Sequence, residues 1–491
     1  MRFGSMWLIN QSCACCKTLT RGHEEDDMVC RVPNLSTATG ELQGARVLVA
    51  VVAVAVGMAL ADSAIVVLAL PQLYGQLHTS IVGVSWVVTA YNVAVAVAAF
   101  AIVLFVHRLR ARTVLAAGLI VFLAASVACA LADSIAFLVA ARCVQGAGAA
   151  LLMVGSLPVL AALTGSAVRG ATVWTLAGTV GIALGPVLGG VLTQAFEWRA
   201  IFIVQAPVAA LALVAAFAAP TAAPLEEGWR PALAATLPAN VCLALIFGAL
   251  VGVLFLAVLL VIAVWNYAPI AGAGIVSVLP LATVAAGSLG RRLAPLLAVC
   301  SGAILLALGL LGLAFLPSSS LVFAMVALAL GGVGIGLSVP ALSHAALDPA
   351  SGLVRSGTLT IGIRQLGLVL AVAAVAPLLA GRLPNAGDRA LLRATSVLLD
   401  APVGLTTKLP VAYDLAREFD RARTGQTPDL ARPFDAHGAA HDPALASVRD
   451  RLVGTVEETI TRAFRPAFLF CAALALLVVP IALLFRNGVV R

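Results

Sequence analysis

Runs of roughly twenty apolar residues, separated by short polar stretches, recur along the chain from Arg46 onward. A run of that length crosses a bilayer as a helix. Twelve are predicted, at about 46–70, 83–106, 113–132, 136–163, 171–193, 200–219, 239–264, 269–289, 295–315, 319–343, 357–380 and 466–485. The polar stretch "PTAAPLEEGWRP" divides the first six from the rest, and residues 382–463 interrupt the second set with a charged segment before the last run. Within that segment, "TTKLPVAYDLAREFDRAR" and "ALASVRDRLVGTVEETITRAF" place apolar residues three and four apart, the period of amphipathic helices.

Composition agrees with a chain built for lipid. Of 491 residues, 62% are hydrophobic and 11% charged, with a mean hydropathy of +1.07. A soluble domain is about half apolar and about a quarter charged. An ordinary soluble enzyme is therefore excluded, and an all-α integral membrane protein is expected. The formal net charge of +8 reflects basic loops on one side of the membrane rather than a nucleic-acid partner. One set of loops contains Arg108, Arg110, Arg112, Arg169, Arg230, Arg291, Arg292 and Arg355, whereas "QLYGQLHTS", "NYAPIAG" and "LPSSS" contain no Lys or Arg. This asymmetry predicts both termini in the cytoplasm of a cell whose inner membrane the chain spans many times. Two six-span halves around a polar linker resemble the repeat layout of secondary transporters.

The nine cysteines form no disulfide framework: five lie in apolar runs, and Cys13, Cys15, Cys16 and Cys30 lie in a polar tail beside His23. "CACC" lacks the paired spacing of structural zinc, and "HGAAH" (His437 and His441) has no evident third ligand, so no metal or cofactor is expected. Phosphate loops, zinc-protease motifs and nucleophile elbows are also missing from the sequence.

Charges at membrane depth are expensive and mark function by default. Asp62 interrupts the first run in "LADSAIVVLALP"; it is the proton-coupling candidate, because protonation erases a charge that otherwise holds one conformation or one cation. The competing reading is a structural acid. Arg142, in "ARCVQGAGAALL", is its natural partner, since an arginine keeps its proton and acts only electrostatically; a snorkelling arginine is the alternative. Gln145 follows one turn later, and Arg364 with Gln365 forms a similar couple in the second half. Tyr91, Asn92 and Gln205 are the remaining candidates for a substrate cavity, although polar groups in membrane helices more often hydrogen-bond between helices. In "LAGTVGIALGPVLGG", Gly181, Gly185 and Gly189 recur every four residues and so share a helix face, while Pro186 bends the span. That spacing builds a close-packed, kinked helix contact.

These stretches resemble, in order, the motifs of the major facilitator superfamily, and particularly its multidrug:proton antiporter branch. "LADSAIVVLALP" is similar to the first-helix motif through Asp62, "SWVVTAY" to the second, and "AARCVQGAGAALL" to the fourth through Arg142, Gln145 and Gly146. "GIALGPVLGG" matches the fifth-helix antiporter motif through Gly181, Gly185, Pro186, Gly189 and Gly190. "WRAIFIVQAP" resembles the start of the sixth helix, with Gln205 where asparagine is usual, and "RQLG" from Arg364 is recognisable in the second half. The resemblance implies a twelve-helix fold in two six-helix halves, a monomer, and a fifth-helix glycine face that rocks at the contact between halves. Two departures stand out. In "VLFVHRLRART", His107 takes the place of the usual acid and Arg108 that of its arginine, with Arg112 following, so the cytoplasmic latch of the family is altered. The linker 221–238 also has no room for the two extra spans common in this branch.

The expected organisation is a disordered cytoplasmic tail (1–45), an N-terminal half (46–220), a cytoplasmic linker (221–238), helices seven to eleven (239–381), an extracytoplasmic helical segment (382–463), and a last helix with a short tail (464–491). The expected activity is secondary export of a hydrophobic or amphiphilic small molecule, driven by the proton gradient through alternating access, in contact with the lipid bilayer. A lipid or glycolipid exporter using the external segment as a lid is the alternative within transport. A non-transporting receptor or scaffold is the alternative outside it.

Overall fold

The apolar runs become helices throughout. A computed structural model describes residues 35–105, 110–219, 233–316, 320–347, 353–401, 403–423, 430–437, 439 and 442–484. The N-terminal half consists of α1 (Leu35–Val67), a short α2 (Leu70–Gln76), α3 (Ile81–Phe105), α4 (Ala111–Ala130), α5 (Ile135–Thr164), α6 (Ala167–Phe196) and α7 (Arg199–Ala218). The second half contains α8 (Leu233–Val258), which ends in a π-helical turn over Leu259–Val264, then α9 (Pro269–Gly290), α10 (Pro295–Ala314), α11 (Leu321–Ala346) and α12 (Leu353–Ala380). Between α12 and the final α17 (Arg465–Leu484) stand α13 (Leu383–Leu399), α14 (Leu405–Arg423), α15 (Arg432–Ala436) and α16 (Pro443–Thr461). Twelve helices are long and apolar enough to cross a membrane, and no strand occurs among the described residues.

Two expected boundaries move. Helix α1 begins at Leu35, eleven residues before the expected first run starts at 46, and α8 begins at Leu233, inside the expected linker. In both places weakly polar residues precede the apolar run and continue its helix. The rest of the tail, with its cysteines and His23, lies outside the described residues, as do His107, Arg108 and His441.

Close approach of backbones builds the bundle. A Cβ on Gly118 would lie 2.4 Å from the backbone nitrogen of Leu152, and one on Gly334 equally close to that of Leu306. Side chains of that size would force α4 from α5 and α10 from α11. Membrane helices lack a hydrophobic drive to associate, so such small-residue contacts supply the packing.

The segment 383–461 is more than a solvated loop. Its helices enclose an apolar core of their own, with Ala390, Ala394, Leu398, Val411, Leu415, Phe434, Leu445, Val448, Leu452 and Val456 buried together. Polar contacts surround that core: Arg393 donates to Thr459 Oγ1 at 2.8 Å, and Arg449 pairs with Asp435 at 2.8 Å and Asp450 at 3.0 Å. Two contacts seat the segment on the bundle. Trp265 Nε1 donates to Thr461 Oγ1 at 3.1 Å, and the Arg465 guanidinium lies 3.9 Å over the Phe315 ring. The segment therefore sits on the face opposite the basic loops.

Candidate functional site

Inside the N-terminal half, α1, α3, α4, α5 and α7 bring their few polar side chains to one point. Asp62 and Arg142 are both fully buried, with Nη2 of the arginine 2.6 Å from Oδ2 of the aspartate. The other edges of the guanidinium are also engaged: Nη1 donates to Gln145 Oε1 at 2.7 Å and Nε to the Val87 carbonyl at 3.0 Å. Gln145 Nε2 donates onward to Gln205 Oε1 at 2.7 Å, and Gln205 Nε2 returns to Asp62 Oδ1 at 2.8 Å. Three hydrogen bonds and one ion pair thus close four side chains into a ring, and Ser126 Oγ accepts a further bond from Gln145 at 2.9 Å. The faces of the guanidinium meet the Tyr91 ring at 4.2 Å and the Phe202 ring at 5.7 Å. Tyr91 itself donates to the Ala59 carbonyl at 2.8 Å, and Asn92 accepts from Ser63 Oγ at 3.0 Å and donates to the Val88 carbonyl at 2.9 Å.

A buried charge is tolerated when it is paired and its remaining polar atoms are satisfied. Here the pair is neutral overall and enclosed by amides and aromatic faces. Gln205 is long enough to span from the carboxylate to Gln145.

The second feature is a cavity between the halves. Leu60, Met153, Leu157, Trp174, Thr175 and Thr179 contribute from the N-terminal half, and Leu243, Phe247, Ser343, Thr358, Thr360 and Arg364 from the other. Its walls come from the ends of α5 and α11, the beginnings of α6 and α12 and the middle of α8, so it lies toward the basic-loop face. On the opposite face the halves touch. A Cβ on Gly190 would lie 2.2 Å from the Ala273 Cβ, and Gln194 Oε1 accepts from the backbone N–H of Ile270 at 2.8 Å. That N–H belongs to the first turn of α9, where donors have no partner within their own helix. One half therefore caps a helix of the other.

The expected substrate residues separate accordingly. Arg364 lines the cavity. Tyr91, Asn92, Gln145 and Gln205 do not: they are buried within the N-terminal half, their polar atoms spent on its ring and backbone. Gln365 is also buried and off the cavity wall. Arg112 is bound to the Phe217 carbonyl, with its guanidinium 5.6 Å over that ring, and so ties α4 to α7.

The glycine face is likewise relocated. A Cβ on Gly181 would lie 2.1 Å from the Gly57 carbonyl oxygen, one on Gly185 2.9 Å from the Ala64 Cβ, and one on Gly189 2.6 Å from the Ile65 carbonyl oxygen. The face thus packs on α1 of its own half rather than across the divide. Only Gly190, just off that face, meets α9. Pro186 lies buried in the middle of the same helix. Sequence reading missed Trp174, Thr175 and Thr179; one signal for the threonines is their spacing of four on a helix already singled out for its glycines.

Comparison with known proteins agrees with this architecture. The family model described as Major Facilitator Superfamily matches residues 52–372. A methylenomycin A resistance protein of Bacillus subtilis (strain 168) is 36% identical over 163 residues, 33% of this chain and 35% of that protein. The multidrug resistance protein Stp of Mycobacterium tuberculosis (strain CDC 1551 / Oshkosh) is 36% identical over 155 residues, 31% of this chain and 29% of that protein. The matched stretches therefore span about a third of those relatives' length. Among solved structures, a bacterial homolog to the human lysosomal transporter Spinster, in an inward-facing and unoccupied conformation, superposes with a TM-score of 0.61 at 15% identity. That match covers 90% of this chain and 98% of that one. A D-xylose-proton symporter gives a TM-score of 0.55 at 14% identity, covering 66% and 88%. At such identities the likeness is one of fold.

Proposed function

The chain belongs to the major facilitator superfamily, and on that premise we propose that it is a proton-coupled secondary exporter of hydrophobic or amphiphilic small molecules, working by alternating access. The two halves touch on the segment face and enclose a cavity toward the basic-loop face, the form of a transporter open to one side. The basic loops favour that side as the cytoplasm. The names of the resistance and multidrug relatives support the export direction and the cargo class.

The observation that carries the coupling is the closed ring through Asp62, Arg142, Gln145 and Gln205. A proton taken up by Asp62 turns its carboxylate from an acceptor into a donor and leaves Arg142 as an uncompensated buried charge. Losing one partner of such a pair costs about 3–5 kcal/mol. A conformation that opens the ring to water or to another acceptor avoids that cost, so the proton shifts the population between two states by its differential affinity. Because the ring lies off the cavity wall, it biases conformation without holding the cargo.

The test is transport in proteoliposomes containing Asp62→Asn. Accumulation driven by an imposed pH gradient should disappear while cargo exchange at equal pH persists; gradient-driven accumulation that survives would remove Asp62 from the coupling. A second reading, lipid export with 383–461 as a lid, is favoured by one observation. Leu405, Leu409 and Tyr413 recur every four residues along α14 and are all exposed, forming an apolar stripe on a segment that already has a core. Excising the segment should then impair export of long-tailed cargo more than export of short-tailed cargo.

A further inference from the structure

Arg364 is the only charged residue on the cavity wall among the described residues. Its circumstances are the reverse of those of Arg142. The Phe247 ring covers one face of its guanidinium at 5.0 Å, but Nε is buried and donates to nothing, and no carboxylate pairs with it among the described residues. A guanidinium carries five N–H donors in its plane and remains charged, so an aromatic ring over its face leaves that donor edge unmet. Such a group is costly inside a membrane unless something compensates it.

Its neighbours indicate what compensates it. Thr360, four residues earlier on α12 and so on the same face, also lines the cavity, and its Oγ1 is buried without a partner. Gly357 continues this line along the wall, where a Cβ would lie 3.3 Å from Leu157 Cδ2. Across the cavity, Trp174 and Leu157 present apolar surface, and Thr179 adds a hydroxyl.

We propose that Arg364 and Thr360 form an anion-binding subsite, so that the cargo of this cavity is an amphiphile with one anionic head group, a carboxylate or a phosphate, and an apolar body. This deepens the exporter reading and rests on it. The planar fork of the guanidinium suits either oxyanion. No carboxylate of the N-terminal half adds a negative charge to the wall: Asp62, Asp133 and Glu197 all lie off it, and Asp62 is spent on Arg142. A positively charged head group therefore meets repulsion with no acid to offset it.

The test uses four fluorescent probes with one alkyl tail and a carboxylate, phosphate, trimethylammonium or hydroxyl head, bound to the full chain in nanodiscs of zwitterionic lipid. Wild type should bind the carboxylate or phosphate probe about tenfold or more tighter than the trimethylammonium probe, the scale of one charge-assisted contact. The comparison between those two arms assigns the head group. Arg364→Gln should bring the ratio of anionic to hydroxyl binding close to one, whereas Arg364→Lys retains part of it. Should Arg364→Gln fail to fold, Thr179→Glu places an acid on the facing wall and should favour the trimethylammonium probe. A wild type that prefers the trimethylammonium head, or a head-group ratio unchanged in both variants, overturns the proposal. Binding is read without any gradient, so preserved head-group selectivity with no transport of any probe would sink the exporter reading alone.

Discussion

Arg142 carries its charge through the interior of the N-terminal half because Asp62, Gln145 and the Val87 carbonyl meet three of its edges and two aromatic rings cover its faces. A double-mutant cycle measures that arrangement. Asp62→Asn and Arg142→Gln should each destabilise the folded protein by about 3–5 kcal/mol, and the double variant by less than either, because no lone charge remains. Thermal unfolding in detergent reads the three values, and additive losses would show that the pair is not coupled. Asp62 and Arg142 were legible in the sequence because a lone charge stands out in an apolar run. The amides were not: Gln145 and Gln205 looked like cavity residues, and only the rotation of α5 and α7 about their axes turns them onto each other. A period of 3.6 residues does not report that rotation when every face of the helix is apolar.

Helix α6 illustrates the same point at the next scale. The spacing of Gly181, Gly185 and Gly189 correctly announces a face that another helix approaches closely, yet it carries no label for the partner, which is α1 rather than the opposite half. Two alanine substitutions separate contact from propensity. Gly181→Ala pushes a methyl group into the Gly57 carbonyl and should cost about 1–3 kcal/mol, the range for overpacking. Gly274→Ala, on α9 with nothing within 4 Å of its Cβ, should stabilise by up to about 1 kcal/mol through helix propensity. Equal shifts in melting temperature would contradict the packing seen here. Between the halves, Gln194→Leu removes the acceptor for the Ile270 N–H. At about 1 kcal/mol for such a bond, the population open on the segment face should rise roughly fivefold, as read from a spin-label distance distribution across that contact.

At the scale of the whole molecule, twelve helices, two halves and an extra segment could all be read from run length and charge, because the bilayer imposes both. The core of the segment could not, since its apolar positions are spread over four short helices that only meet in three dimensions. Replacing 384–460 with a short Gly-Ser bridge should leave the bundle's melting temperature within a few degrees, because the apolar core at residues 390–456 is a cluster of its own. A collapse of the bundle would instead show that the segment's core is needed to hold the bundle together. The path from α12 into α13 has a mechanical consequence. Helices α12 and α13 follow one another over Arg355–Leu399, 45 residues broken by a brief turn at 381–382, and at 1.5 Å per residue they hold about 68 Å of helix end to end. One end forms the wall beside Arg364 and the other stands beyond the membrane. A ten-degree tilt at Arg364 would sweep Leu399, 35 residues or about 52 Å away, through about 9 Å, by the same rise per residue. The two helices then form a lever that magnifies small motions around the cargo into larger displacements on the segment face. Distances from Leu399 to the N-terminal half that stay constant with and without cargo would show that the lever does not swing.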